Sequence, residues 1–253
     1  MRNLRAAVVF LTRVPVGLGP GDPPPLASAV GWFPVVGALV GAFGGGVYAA
    51  VWHVSTPGIA AVVSLAAVTL VTGAFHLDGL GDIADGFAGG STPERRLEIM
   101  RDSRLGTYGV AAVVLVLVGQ VVALSALGPL AGLCALVVAH SLGRSSAVVL
   151  MATTAAARAD GLGIDYLRGL SRSASVGGSL VGVAIAVGLG GLAGAAAVGA
   201  AGVGALVIRR WARLAIGGIS GDVLGGVEQV AEVLTLAVIA SFVAEGAAFP
   251  WWT

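Results

Sequence analysis

Long apolar runs without a single charged side chain are the feature that most constrains how this chain can fold. A helix needs about 20 mostly apolar residues to cross the hydrocarbon core of a bilayer. Residues 26–52, 54–75, 105–139 and 173–208 all lack a charge. Charged residues make up only 11% of the chain, against about 25% in an average soluble domain, so the chain cannot build the polar surface that a soluble protein needs. The sequence therefore predicts an all-α integral membrane protein.

Turn-forming residues divide these runs into about seven transmembrane helices, so the predicted fold is a polytopic helix bundle. The divisions fall at turn signals near residues 53, 128 and 190. Glycine and proline are enriched at these points, and both residues interrupt helices in the absence of other contacts. The last span is predicted over about residues 230–249, although this stretch contains Glu232 and Glu245.

The distribution of arginine predicts the orientation of the bundle. All 14 cationic side chains are arginines, and they lie in alternate connections between the predicted spans. Because positive charge accumulates in cytoplasmic loops, the arginine-bearing side is predicted to face the cytosol across a bacterial cytoplasmic (inner) membrane. Residues 1–25 then form a cytosolic or interfacial arm, and residues 26–253 form a single transmembrane domain. Its cytosolic active-site loops are predicted at about residues 76–106, 157–173 and 209–228.

The overall charge and the cysteine content exclude other classes of protein. The formal net charge is +1, which provides no basic field to attract nucleic acid. The single cysteine, Cys134, cannot form an intrachain disulfide or a cysteine-based zinc site. The partner predicted from composition is the lipid bilayer. The oligomeric state is left open, with a homo-oligomer among the options.

Acidic residues are scarce, and their clustering is therefore informative. Six of the 13 acids lie between residues 78 and 102. Asp78, Asp82 and Asp85 are spaced i, i+4, i+7, which places them on one face of a helix within two turns. Three neighbouring carboxylates repel one another, and a hard cation such as Mg²⁺ would compensate their charge. The spacing predicts that these aspartates bind the metal, and a solvated network with nearby arginines is the alternative.

A run of alternating charge follows the acid cluster. A short helix is predicted to begin at Pro93, with Arg101 and Arg104 on one of its faces, flanking Asp102 and Ser103. Arginine side chains bind phosphate through paired hydrogen bonds. The stretch is therefore a candidate phosphate-binding segment, although an ordinary cytosolic loop of a membrane protein would contain similar residues.

Three isolated polar residues are further candidates. His76 can serve as a metal ligand or a proton shuttle, with a structural histidine as the alternative. Arg158 is a weaker candidate for phosphate binding. Asp222 lies in a glycine-rich segment that is typical of a ligand-contacting turn, and a helix-capping aspartate is the competing interpretation.

Taken together, these segments resemble the signature of the cobalamin synthase family, the adenosylcobinamide-GDP ribazoletransferases. The resemblance rests on the acidic run 76–86 and on its continuation 97–104, which ends in Asp-Ser-Arg. Weaker similarity extends to residues 10–15, 31–34 and 220–222, where a serine replaces the expected threonine. The resemblance covers nearly the whole chain.

The resemblance implies a membrane-bound phosphotransferase. Such an enzyme joins adenosylcobinamide-GDP to α-ribazole or its 5′-phosphate, gives adenosylcobalamin or its 5′-phosphate, and releases GMP with Mg²⁺ as the cofactor. A carboxylate that the metal does not saturate could accept the proton of the attacking hydroxyl. The catalytic candidates are Asp85, Asp82 and His76. The substrate-binding candidates are Arg101, Asp102, Ser103, Arg104, Arg158 and Asp222.

Two alternative functions stay open at this point. A CDP-alcohol phosphotransferase of lipid synthesis also has an aspartate-rich motif, but no arginine follows Asp78 and Gly79 within the motif of this chain. An ion-coupled transporter would place its acids near the middle of the membrane, whereas the acids here are predicted at the cytosolic ends of the spans. Release of GMP would separate these functions.

Overall fold

The computed structural model describes residues 1–19, 21, 24–157 and 169–253, and helices dominate these residues. In chain order the α-helices of the described part are α1 (Arg2–Leu11), α2 (Phe33–Trp52), α3 (Pro57–Thr72), α4 (Phe75–Gly89), α5 (Pro93–Ile99), α6 (Thr107–Ser125), α7 (Pro129–Thr153), α8 (Arg172–Ile216) and α9 (Gly221–Ala244). Two short 3₁₀ turns, Leu26–Ser28 and Val30–Trp32, lead into α2. The predicted all-α fold is confirmed.

Local sequence signals explain where several helices begin and end. The Thr56 side chain accepts a hydrogen bond from the backbone N–H of Ile59 and caps α3, whose first residue is Pro57. Gly73 ends the same helix in the left-handed conformation, with φ of 67°. Helix α7 begins at Pro129, directly after Gly128, where the sequence predicts a turn. The turns near residues 53 and 128 therefore lie where the sequence placed them.

Helices α2 and α7 pack against each other through a row of glycines on α2. Gly37 faces His140, and Gly45 lies so close to Leu133 that an added Cβ would be 2.7 Å from the Leu133 Cα. Higher numbers on α2 meet lower numbers on α7, so the two helices are antiparallel. Small residues permit this close approach of backbones, which is how membrane helices pack without a hydrophobic driving force between them.

Helix α8 doubles back at the predicted glycine break. Gly191 has φ of 51° and ψ of −122° and interrupts the helix. Near the start of α8, an added Cβ at Gly178 would lie 3.0 Å from the Gly31 Cα, just before α2. Near its end, the Arg209 Nε donates to the Thr154 Oγ1 at 2.8 Å, just after α7. Since α2 begins where α7 ends, both ends of α8 lie at the same end of the bundle.

The described residues contain fewer candidate membrane-spanning helices than the predicted seven. Within the described residues, five helices are long and apolar enough to cross a membrane. The count becomes six if α3 and α4, which are bent by 91° to each other, form one broken span. Helix α8 counts once in this total despite its break at Gly191. The exact number seven is not confirmed and stays a prediction.

Two of the predicted loops are mostly helical. The segment 209–228 belongs to α8 and α9 except for residues 217–220, and 76–106 contains α4 and α5. The glycines after residue 220 predict a turn, but in the structure they belong to α9 and permit its close packing against α4. An added Cβ at Gly225 would lie 3.2 Å from the His76 Cα. The last helix consequently begins at Gly221 and not near residue 230. Most of the loop 157–173 lies outside the described residues.

Candidate functional site

The three aspartates of the acid cluster all lie on α4, as predicted. Asp78 is exposed, and Asp82 and Asp85 are half-buried. Leu80 and Ile83 are buried and belong to the apolar core of the bundle. Helix α4 therefore separates a polar face from a packed face, although its four glycines would weaken a helix on their own.

A fourth carboxylate comes from the first turn of α9. Gly79 of α4 lies so close to this turn that an added Cβ would be 2.8 Å from the Asp222 carbonyl oxygen. Asp82 interacts electrostatically with Asp78, Asp222 and Asp85. Ser220, and not Asp222, caps the helix, because its side chain accepts the N–H of Val223. The structure thus joins Asp222 to the acid cluster, which the sequence alone did not suggest.

Asp85 differs from the other aspartates because backbone amides hold its carboxylate. Its two oxygens accept hydrogen bonds from the N–H of Gly106 at 2.6 Å and from the N–H of Gly109 at 2.9 Å. These amides belong to the start of α6, where the helix dipole favours a negative charge. Asp85 therefore anchors α6 to α4, whatever chemical role it has.

The predicted phosphate-binding segment follows α5 and is not part of it. Helix α5 begins at Pro93 as predicted, with Thr92 as its cap, but it ends at Ile99, so the prediction that Arg101 and Arg104 share a face of this helix is wrong. The Arg104 guanidinium instead forms a fork with Asp102, with its Nη2 2.7 Å from Oδ2. These hydrogen bonds lower the pKa of Asp102 to about 2. Arg101 and Ser103 are exposed beside this pair.

A polar cavity connects this segment with the end of the acid cluster. Its volume is about 240 Å³, and Asp85, Arg95, Asp102 and Arg104 are among the residues that line it. A phosphate group in this cavity would be within reach of the Arg95 and Arg104 donors, and Asp85 is the α4 carboxylate among the lining residues. Arg158, the other predicted phosphate-binding residue, lies outside the described residues.

The other arginines of this segment do not compensate the acid cluster. Arg95 pairs with Glu98 at 2.6 Å on the surface of α5. Arg96 donates to backbone carbonyls of Gly90 and Ala215, each at 2.9 Å. For Arg95 and Arg96, these contacts weigh against the alternative in which the α4 aspartates belong to a solvated network with arginines.

The carboxylate oxygens of the acid cluster fit magnesium in a site that uses few protein ligands. Within the described part of the chain, no group of three or more histidine, cysteine or acidic side chains is arranged to enclose a metal ion. Magnesium, however, commonly uses only one or two protein carboxylates and completes its shell with water and substrate phosphate. Asp78 and Asp82 provide two carboxylates of this kind one turn apart on α4, and Asp222 of α9 lies near them. The cluster fits an open site and not a closed three-ligand site.

A group of charged residues lies inside the bundle, and of its members only His76 is a candidate from the sequence. Its members are His76 of α4, His140 and Arg144 of α7, and Glu228 and Glu232 of α9, each at most 4% exposed. Ionisable residues inside an apolar helix are expensive and are functional candidates by default. The sequence does contain a signal for this group, because Glu232 lies within a predicted apolar span, where a carboxylate needs buried partners.

The ring of His76 is enclosed by protein partners. Its Nε2 lies 3.0 Å from the Glu228 Oε2, and its Nδ1 lies 3.2 Å from the Arg144 Nη2. Because arginine can only donate, Nδ1 is the acceptor of the hydrogen bond from Arg144, and Nε2 carries a proton and faces the Glu228 carboxylate at ion-pair distance without hydrogen-bond geometry. Both ring nitrogens thus face charged protein side chains, which favours the structural alternative for His76 over the role of a metal ligand or a proton shuttle.

Comparison with known proteins gives a consistent set of similarities. A family model described as cobalamin-5-phosphate synthase matches residues 3–240. An adenosylcobinamide-GDP ribazoletransferase of Bradyrhizobium diazoefficiens is 42% identical, covering 95% of this chain and 94% of that protein. Proteins of the same name from Ralstonia nicotianae and Vibrio cholerae are 40% and 34% identical, and each match covers more than 90% of both chains. No solved structure matches the chain.

Proposed function

Because the chain belongs to the cobalamin-5-phosphate synthase family, we propose that it joins adenosylcobinamide-GDP to α-ribazole, or to α-ribazole 5′-phosphate, and releases GMP. The observation that carries this proposal is the pairing of the α4 acid cluster with an arginine-lined cavity, in a chain whose relatives bear the name of this transfer. Neither a CDP-alcohol phosphotransferase nor a transporter is supported by the names of the relatives.

The reaction exchanges one phosphate linkage for another. A ribose hydroxyl of α-ribazole attacks the phosphorus next to cobinamide, the bond from this phosphorus to the GMP phosphate breaks, and the hydroxyl loses its proton. The substrate diphosphate carries negative charge that the site must neutralise, which suits arginine forks. Arg104 and Arg101 are the proposed contacts, and Arg104 must exchange its present partner, Asp102, for phosphate.

Asp82 is the better candidate for accepting the hydroxyl proton. A general base must have a carboxylate oxygen available to the attacking group. Asp85 uses both of its oxygens for backbone amides, whereas Asp82 lies near other carboxylates, those of Asp78, Asp222 and Asp85. Asp85 keeps a role as the anchor of the cavity wall and stays a second candidate.

Magnesium would be held by Asp78 and Asp82, with Asp222 beside them, and when bound it would stabilise negative charge on the leaving phosphate. This metal dependence is an expectation from the family and from the carboxylate chemistry. The site is proposed to face the cytosol, because the acid cluster lies at the end of the bundle where the arginines gather.

The proposal is tested by product release from the purified protein. The protein in detergent or in liposomes should liberate GMP when it receives Mg²⁺, adenosylcobinamide-GDP and α-ribazole or its phosphate. Reactions without the α-ribazole substrate distinguish transfer from simple hydrolysis, because hydrolysis would proceed without it. A folded protein that releases no GMP with either acceptor would overturn the proposed function.

A further inference from the structure

The proposed chemistry does not use the charged residues that are buried inside the bundle. We call His76, His140, Arg144, Glu228 and Glu232 the buried ionic network. Arg144 is 1% exposed and lies at its centre. A charged side chain at this depth is costly unless partners surround it, so the network needs a reason beyond the filling of space.

Arg144 connects three helices of the bundle. From α7 its Nε approaches the Glu228 Oε2 of α9 at 3.1 Å, and its Nη1 pairs with the Glu232 carboxylate one turn further along α9. Its Nη2 is the donor to the His76 ring of α4. One guanidinium therefore contacts both α4 and α9 from α7, through hydrogen bonds of Nη1 and Nη2 and through the ion-pair contact of Nε.

The carboxylates of the network are fixed from a second direction. The His140 Nδ1 lies 2.6 Å from the Glu232 Oε1, and the Gln229 Nε2 donates to the Glu232 Oε2 at 2.9 Å. The Glu228 Oε2 lies 3.0 Å from the His76 Nε2, which is an ion-pair distance without hydrogen-bond geometry. Removal of one partner from a buried ion pair leaves an uncompensated charge, so these pairs favour the arrangement of helices that keeps the partners together.

The network lies directly beneath the acid cluster. His76 is two residues before Asp78 on α4, and Glu228 is six residues after Asp222 on α9. The backbones of α4 and α9 are in contact at Gly79, where an added Cβ would lie 3.0 Å from the Asp222 Cα. A shift of α4 along α9 would therefore separate Asp222 from the aspartates of α4.

We propose that Arg144 is a positioning residue: through His76 and Glu228 it fixes the register of α4 against α9, and thereby places Asp222 beside Asp78 and Asp82. This inference rests on the proposed function only in that GMP release provides one of its measurements. A network that merely stabilised the bundle would not be required for the register of these two helices.

The test combines a distance measurement with kinetics. The parent protein carries Cys134→Ala and spin labels at cysteines that replace Ala88 of α4 and Ser241 of α9, both of which are exposed. Double electron–electron resonance reports the distance between the labels, and GMP release reports kcat and KM. Glu228→Gln removes the charge that bonds His76, and His76→Gln disconnects α4 while it leaves both Arg144 carboxylate pairs in place.

Tyr48→Phe is the matched control for a general loss of stability. Tyr48 is fully buried. Its hydroxyl proton is shared between the carbonyls of Leu124 and Leu127, each at 2.8 Å. These contacts lie at the end of α2 that is away from the buried ionic network. We expect Glu228→Gln and His76→Gln each to shift or broaden the distance distribution and to lower kcat at least tenfold. Tyr48→Phe should lower the melting temperature without either change.

The remaining results either contradict the positioning role of Arg144 or test the proposed function separately from it. Folded variants with the parent distance distribution and a kcat within twofold of the parent overturn it, as does a lower kcat of His76→Gln at unchanged distances, which would indicate a direct chemical role. If Glu228→Gln does not fold, His76→Gln decides alone. A parent that releases no GMP refutes the proposed function, while the distances still test the register.

Discussion

The aspartates of α4 are chemically alike but have different surroundings, and this difference decides what each substitution should do. Asp82 is half-buried among other carboxylates, whereas Asp85 accepts two backbone hydrogen bonds at the start of α6. Removal of a charge from a group of like charges relieves repulsion. Removal of a charge from a helix N-terminus loses a favourable interaction.

Asp82→Asn should therefore abolish most activity while the protein stays folded. We expect turnover to fall by about 10²-fold or more, the scale for losing a positioned acid–base or electrostatic group. The melting temperature should be unchanged or higher. GMP release and thermal unfolding, measured on the same preparation, check both parts.

Asp85→Asn is the matched comparison for this prediction. Its loss of charge weakens the anchor of α6, and we expect a cost of about 0.5–2 kcal/mol, the range for a lost helix cap. A fully active Asp82→Asn enzyme would refute the proposed metal and proton-acceptor roles of Asp82.

Arg104 allows a second prediction at this scale. Arg104→Lys keeps the positive charge but loses the fork that can bind two phosphate oxygens. We expect kcat/KM for adenosylcobinamide-GDP to fall by about tenfold or more, as for the loss of one hydrogen bond to a charged group. Arg210→Lys is the control, because Arg210 is exposed on α8 and lines a different cavity. Equal kinetics for the two variants would assign Arg104 to membrane topology alone.

At the scale of the helices, the contact between α4 and α9 brings the acidic groups together. This contact depends on glycine, since Gly79 and Gly225 remove side chains from the point where the two backbones meet. Helix α9 can follow α4 only because these positions are small, which is a common solution for close membrane helices.

Gly79→Ala should consequently reduce both stability and activity. The new Cβ would lie 2.8 Å from the Asp222 carbonyl oxygen, which is backbone and cannot rotate away. We expect a loss of about 1–3 kcal/mol from overpacking and a lower kcat, because Asp222 is pushed from the acid cluster. Unfolding curves and GMP release measure the two effects.

Gly46→Ala is the control for the change from glycine to alanine in a helix. Nothing lies within 4 Å of a Cβ at this position of α2, and alanine is the better helix former. This variant should retain parent activity with equal or greater stability. Equal losses in Gly46→Ala and Gly79→Ala would show that the α4–α9 contact has no special importance.

At the scale of the whole molecule, the candidate site lies at one end of the bundle. The start of α2, the end of α7 and both ends of α8 lie together there, and arginines gather at the same end. The positive-inside rule predicts that this end faces the cytosol.

Reporter fusions test this orientation. Fusions after residues 55, 95, 165 and 190 should report outside, inside, inside and outside, respectively, in the bacterial cytoplasmic membrane. Residue 165 lies outside the described residues, and its prediction rests on the arginine pattern alone. An extracytoplasmic signal after residue 95 would contradict the orientation, because it would separate the acid cluster from nucleotide substrates in the cytosol.

The sequence by itself determined the features that depend on local spacing and on total charge. Scarcity of charge and long apolar runs indicated a helical membrane protein, and the i, i+4, i+7 spacing placed Asp78, Asp82 and Asp85 on one helix. Helix periodicity and the cost of burying polar groups act within a single segment, so they can be recognised without knowledge of the fold.

Only the tertiary structure decided which distant residues meet. It brought Asp222 to the acid cluster, directed the Asp85 carboxylate to the start of α6, and enclosed His76 between Glu228 and Arg144. The partners in these contacts are separated by between 21 and 152 positions in the chain. Helix packing sets such contacts through the shapes and small residues of whole faces, and neither spacing nor composition contains that information for a single segment.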